Sequence, residues 1–360
     1  ADYDATIRCS SSSAGFGNLT LDGNGGGEGS EYQIDPLSED QLRIAGNLSI
    51  LAENALVTGE LAATVGGNLS LYQYGRIQIG DGSTFHINGN LVHNGIIDIG
   101  PGTFYVHGVY TSSDTASLTI NSGSFINDVA WRNDEEGGRS AIPLRGAISL
   151  LSGLLEITHN SINVFTHASR IWQSGIVRSG GGFSATAAGA FQQTGGTLEL
   201  VSNLNPSLNV TGGNYVNNLK IQLGASYAAY LANNLIIKGN FVLQSGSCVT
   251  SNYNIEIGGT WTNNSGSTNF YEGTSTITFN GSSASTGFVT SETVYNLVIN
   301  NSSTNWDNFE LSAGCQLSVT NDLTVTDGTL NMKNSTQLNV GRDILIASGA
   351  GINCYNDSNI

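Results

Sequence analysis

The chain has 360 residues, of which 39% are hydrophobic, 8% aromatic and only 11% charged, whereas a soluble domain usually carries about a quarter of its residues charged. Its formal net charge of −16 at pH 7 repels phosphate backbones and anionic headgroups, which argues against nucleic acid and against insertion into or binding to an anionic membrane. No apolar run reaches the roughly 20 residues of a membrane-crossing helix, and 47 glycines set against three lysines, Lys220, Lys238 and Lys333, disfavour long helices of any kind.

Residues 1–40 lack a regular apolar period and are expected to form an N-terminal cap or attachment arm. The opening Ala1-Asp2-Tyr3-Asp4 has neither the basic nor the apolar part of a signal peptide, so a mature secreted chain is expected. Within this arm Asp22-Gly23-Asn24-Gly25-Gly26-Gly27-Glu28 places oxygen-bearing side chains along a flexible stretch. Asp22, Asn24 and Glu28 are therefore candidate calcium ligands, set against the commoner reading of a Gly-rich linker. Calcium is the only cofactor that the residues suggest.

From residue 41 onward the sequence repeats. Gly46-Asn47-Leu48-Ser49-Ile50 recurs as Gly67-Asn68-Leu69-Ser70-Leu71 and Gly89-Asn90-Leu91-Val92-His93, at spacings of 21 and 22 residues, with a weaker copy at Gly108-Val109-Tyr110. Periods near 20 residues built from short strands are the mark of a solenoid coil. Arg76–Ile79, Ile96–Ile99, Ser117–Ile120, Leu198–Leu200 and Ile255–Ile257 alternate polar and apolar residues, so every second side chain should point inward. Gly-Asn, Gly-Gly, Asp-Gly and Ser-Gly pairs between them are expected to supply the positive φ of tight corners. Strands one coil apart should pair in parallel, with Leu48, Leu69 and Leu91 stacked as one inward ladder.

Histidines His86, His93, His107, His159 and His167 form no HxH or HExxH pair, although one coil separates His86 from His107. Arg132 to Arg139, following Trp131, is the densest charge cluster and should leave the coil as a loop. Its adjacent carboxylates do not provide the opposed acid and base, about 5 to 9 Å apart, that glycoside cleavage needs. Asp98, Glu156, Glu199 and Glu256 sit at alternating strand positions and read as a solvated polar face without basic companions. No catalytic residue is assigned, and the chain is not expected to be an enzyme.

In the second half Val216–Ile221 returns as Val294–Ile299, and Tyr253–Gly258 as Thr336–Gly341, at offsets of 78 and 83 residues. Unequal offsets imply corners that accept insertions while the strands persist. Thr276-Ile277-Thr278 and Thr324-Val325-Thr326 are two Thr-x-Thr pairs, too few for a flat array. Tyr72, Tyr74, Phe104, Tyr105, Tyr110, Phe270 and Tyr271 offer a sugar-stacking strip or, more commonly, packing. Four cysteines, Cys9, Cys248, Cys315 and Cys354, allow three disulfide pairings or free thiols, and no CxxC spacing suggests zinc or redox chemistry. Residues 343–360 still read as coil, so this end is expected to be open.

Thr274-Ser275-Thr276-Ile277-Thr278-Phe279-Asn280-Gly281-Ser282, followed by Val294-Tyr295-Asn296-Leu297-Val298-Ile299-Asn300-Asn301-Ser302, resembles repetitive secreted β-helix surface proteins, adhesin-like or filament-like, of Gram-negative bacteria. The resemblance is clear over about residues 210–350 and implies a cell-surface setting, with no catalytic residues to transfer. The expectation is an all-β chain, a single elongated right-handed parallel β-helix over residues 41–360 with coils of about 20 residues. Its expected role is extracellular, structural or adhesive, with neighbouring copies or further segments joined end to end. The alternative is a carbohydrate-binding or polysaccharide-processing β-helix that meets a surface polysaccharide.

Overall fold

The computed structural model describes residues 5–7, 16–22, 31–34, 41–51, 54–57, 62–128, 142–158, 160–164, 170–282, 286–302, 309–355 and 358–360. The chain is all-β, with parallel sheets stacked as a β-solenoid of about 13 turns. Among the described residues the one helical element is the short 3-10 turn Ser267–Asn269. Two compact units divide the chain, residues 1–180 and 181–360.

In the first unit the expected Leu ladder is present. Leu48 pairs with Leu69 and Leu69 with Leu91, in parallel and in register, and all three are fully buried. The ladder runs on through Tyr110, the weaker fourth copy. A second ladder stacks Phe85 on Phe104 on Phe125, with ring centres 5.1 and 5.6 Å apart and nearly parallel planes. Burying each such side chain contributes about 1.5 to 3 kcal/mol, and because every coil adds one rung the core is continuous along the stack. The segment 1–40, expected as a cap, supplies strands of the same kind. Ala5–Ile7 pairs with Glu31–Ile34, Leu19–Leu21 with Leu48–Ile50, and Glu31–Ile34 with Ala55–Val57.

The Gly-Asn corners work differently from the expectation. Gly67 and Gly89 do not have positive φ; their backbone instead lies against the coil below. A Cβ at Gly89 would sit 2.5 Å from both Asn68 Oδ1 and the Gly67 carbonyl oxygen. Glycine is required for close approach, because each Gly N–H donates to the Gly carbonyl one coil back, 2.8 Å from Gly67 to Gly46 and 2.9 Å from Gly89 to Gly67. The next residue completes the corner. The backbone N–H groups of Asn47, Asn68, Asn90 and Val109 donate to the side-chain oxygens of Asn18, Asn47, Asn68 and Asn90, each at 2.8 Å. An asparagine at this position satisfies a corner N–H that no strand can reach. Positive φ does occur at the Asp-Gly corner, where Gly82 has φ 66°.

The second unit uses the same devices. Asn218 accepts from the N–H of Asn240, and Asn240 from that of Thr260, both at 2.9 Å. Ile255 and Ile257 face inward above Leu235 and Ile237 and below Ile277 and Phe279. The repeat of Val216–Ile221 at Val294–Ile299 keeps its inward residues, since Val216, Leu219 and Ile221 are buried and so are Val294, Leu297 and Ile299.

Candidate functional site

Along the outer faces, charged side chains meet partners one coil away. Arg76 lies 2.6 Å from Asp98, Arg178 3.0 Å from Glu156, and Lys220 3.4 Å from Glu199. Three of the four carboxylates read from the sequence as lacking basic companions, Asp98, Glu156 and Glu199, therefore have them, whereas Glu256 accepts from the Asn280 amide. Glu156 and Arg178 are cross-strand neighbours, and so are Glu199 and Lys220. Such partly exposed pairs contribute about 0 to 1 kcal/mol each; their main effect is to neutralise charge between stacked rungs.

Stacking also brings His86 and His107 together, as their one-coil separation suggested. His86 Nδ1 lies 3.3 Å from His107 Nε2, and His107 Nδ1 lies 2.7 Å from Asp128 Oδ1. Asp128 Oδ1 accepts from the Nδ1–H of His107, and His107 Nε2 and His86 Nδ1 share a second hydrogen bond whose donor is set by the tautomer. The ring of Tyr105, paired with His86 in register, stacks on it at 4.5 Å. Burial lowers the His86 pKa from its ordinary value, His107 lowers it further, and Asp128 opposes them. His86, His107 and Asp128 thus form one hydrogen-bonded chain across three coils. His93, by contrast, is an inward rung, fully buried and 3.1 Å from the Tyr110 hydroxyl, and burial pushes its pKa down to about 4.

The second unit carries a groove of about 550 Å³ where the turn Thr211–Asn214 stands beside the corners preceding Leu235–Ile237 and Ile255–Ile257. Asn233, Asn234, Tyr253, Asn254 and Glu256 line it. Asn234 Oδ1 accepts from the Asn254 N–H, and Asn254 Oδ1 from the Thr276 N–H, each at 2.9 Å. Asn233 is tied to Asn209 at 2.7 Å, and Glu256 Oε2 accepts from Asn280 Nδ2 at 3.0 Å. These bonds hold the side chains in fixed orientations.

Inside the same unit lies a carboxyl that no sequence signal marked. Glu292, only 2% exposed, accepts from Trp261 Nε1 at 2.9 Å and Asn263 Nδ2 at 2.8 Å through one oxygen, and from the Thr293 N–H at 3.0 Å through the other. Burial nevertheless pushes its pKa up to about 7, against the effect of these donors. The buried thiols of Cys248 and Cys315 are pushed up to about 12 by burial and secondarily by Glu292.

Cys248, Cys315 and Cys354 are free, which removes disulfides among these three; Cys9 lies outside the described residues. Of the calcium candidates, Asp22 is exposed, while Asn24 and Glu28 lie outside the described residues, as do His159, His167 and the cluster Trp131 to Arg139. Among the described residues no group of three or more His, Cys, Asp and Glu has a metal-holding arrangement. The aromatic strip does not form, since Phe104, Tyr110 and Phe270 are interior whereas Tyr72, Tyr74 and Tyr271 are exposed. The Thr-x-Thr pairs do not join, because Val298 stands between Thr278 and Thr324 in the row.

Fold and surface together define a parallel β-solenoid repeat protein with paired outer charges and a polar groove in its second unit. No protein-family model matches the chain, and neither does any curated protein or solved structure.

Proposed function

We propose that the chain is an extracellular structural or adhesive β-solenoid, a segment or subunit of a cell-surface filament or large surface protein. The observation that carries this reading is the strand Ile344–Ile346. It pairs with Leu323–Val325 on one side, yet Ile344, Leu345 and Ile346 are 42%, 63% and 44% exposed. Ile344 and Ile346 continue the inward ladders of Leu323 and Val325, both fully buried. A rung of the same kind laid on this strand, from a neighbouring copy or a further segment, would bury these apolar side chains as each coil does for its neighbour. Pairing of outer charges between rungs suits a scaffold, since those groups are engaged in stacking. Repeated head-to-tail docking that does not close generates a filament.

Negative-stain imaging and sedimentation of the purified chain test this. The wild type should form end-to-end rods whose length grows with concentration, and Ile344→Lys combined with Ile346→Lys should leave single units with unchanged circular dichroism. A wild type that stays monodisperse and monomeric at its highest soluble concentration would contradict the proposal.

A further inference from the structure

We infer that the groove beside Leu235–Ile237 is a binding site for a neutral oligosaccharide. The inference rests on the adhesive reading above and gives it a ligand class. Its basis is a set of fixed polar groups beside an exposed ring. The side-chain oxygens of Asn234 and Asn254 are each engaged by a backbone N–H of the following coil. Only an oxygen can accept there, so the amide orientation is determined, and both Nδ2 groups remain as donors with no partner among the described residues. The two asparagines are 20 residues apart, one coil, which spaces the donors by one rung, about 4.8 Å. Glu256 is held by Asn280 through Oε2, so Oε1 is the acceptor it offers. Tyr253, 36% exposed, stands at the edge with an apolar ring face.

Fixed donors, a fixed acceptor and a flat aromatic face are complementary to a pyranose ring, which carries hydroxyls around its rim and C–H bonds on its faces. Glu256 is the one charged side chain among the described residues lining the groove, and a lone carboxylate disfavours phosphate, sulfate or uronate groups. The lining is too polar for a lipid or an apolar peptide face, which seek predominantly hydrophobic walls. A volume of about 550 Å³ accommodates two or three sugar rings, within the usual range for small ligands. Because these groups are held by the ladder before a ligand arrives, little side-chain freedom is lost on binding.

The experiment uses the full chain and a panel of neutral hexasaccharides, linear glucans, mannans and xylans, with a polyuronate and a sulfated glycan as anionic controls, read by isothermal titration calorimetry. Asn234→Asp with Asn254→Asp retains the oxygens that hold the corner N–H groups and replaces only the Nδ2 donors, so the fold is kept while the site is removed. At least one neutral hexasaccharide should bind the wild type and neither anionic control should. Tyr253→Ala should weaken binding by about tenfold, and the paired Asp variant should abolish it. Failure of every neutral hexasaccharide to bind, or binding unchanged by both variants, overturns the inference. Rod assembly is scored on the same samples: a wild type that forms rods but binds no neutral hexasaccharide refutes the groove alone, and a wild type that binds but forms no rods refutes the filament reading alone.

Discussion

Replacing Glu292 by glutamine should flatten the pH dependence of the second unit. Burial pushes this carboxyl from an ordinary 4.5 up to about 7, with Glu272 adding a small repulsion and the donors Asn263, Thr293 and Trp261 pulling the other way. The folded pKa lies above the unfolded one. Protonated Glu292 therefore favours the fold fully below pH 4.5, and the contribution is lost as pH rises through about 7. At about 1.4 kcal/mol per pH unit between the two values, the loss is about 3 kcal/mol, undiminished by solvent because the side chain is 2% exposed. Urea unfolding followed from below pH 4.5 to above pH 7, with hydrogen exchange at Thr260–Asn263 and Glu292–Val294 as the local readout, measures it. The Glu292→Gln protein should be less stable by about 1 kcal/mol at low pH, since the amide cannot accept from both sides, and should vary little with pH. Parallel curves for wild type and variant would refute the reasoning.

The first unit should respond to acid instead. His93 is neutral in the fold with its pKa near 4, below its ordinary 6.5, so stability is complete above pH 6.5 and falls by about 3 kcal/mol as pH drops to about 4. His93→Leu, at a position paired with Leu71, should remove most of that slope in acid unfolding. The two corner types are separable by alanine. Gly89→Ala places a Cβ against Asn68 and Gly67 and should cost more than about 2 kcal/mol in thermal unfolding, whereas Gly82→Ala meets open space and only a strained φ, for about 1 kcal/mol. Asp128→Asn removes the carboxylate that raises the His86 pKa, so the NMR titration midpoint of His86 should move lower. An unchanged midpoint would mean that the three-residue chain is not electrically coupled.

Coil period, strand positions and inward ladders were legible in the sequence, because alternation and a 21- or 22-residue recurrence determine which side chains face inward wherever coils stack in register. Leu48, Leu69 and Leu91 stand in line for that reason, and so His86 meets His107. What the pattern does not contain is how far each corner displaces the next coil. Glu156 meets Arg178 and Glu199 meets Lys220 across strands with no local signature. Glu292 reaches Trp261 and Asn263 over 31 and 29 residues, longer than one simple period, because the register partner of Trp261 is Phe288 and Glu292 follows it on the next strand, Glu292–Val294, of another sheet. The Gly-Asn corner shows the same division. Composition indicated a turn, but only the approach of the neighbouring coil reveals that glycine is needed for space rather than for φ, and that asparagine is needed to accept an N–H. Periodic patterning determines the face a side chain takes, whereas partners across coils depend on loop lengths and on the three-dimensional register they produce.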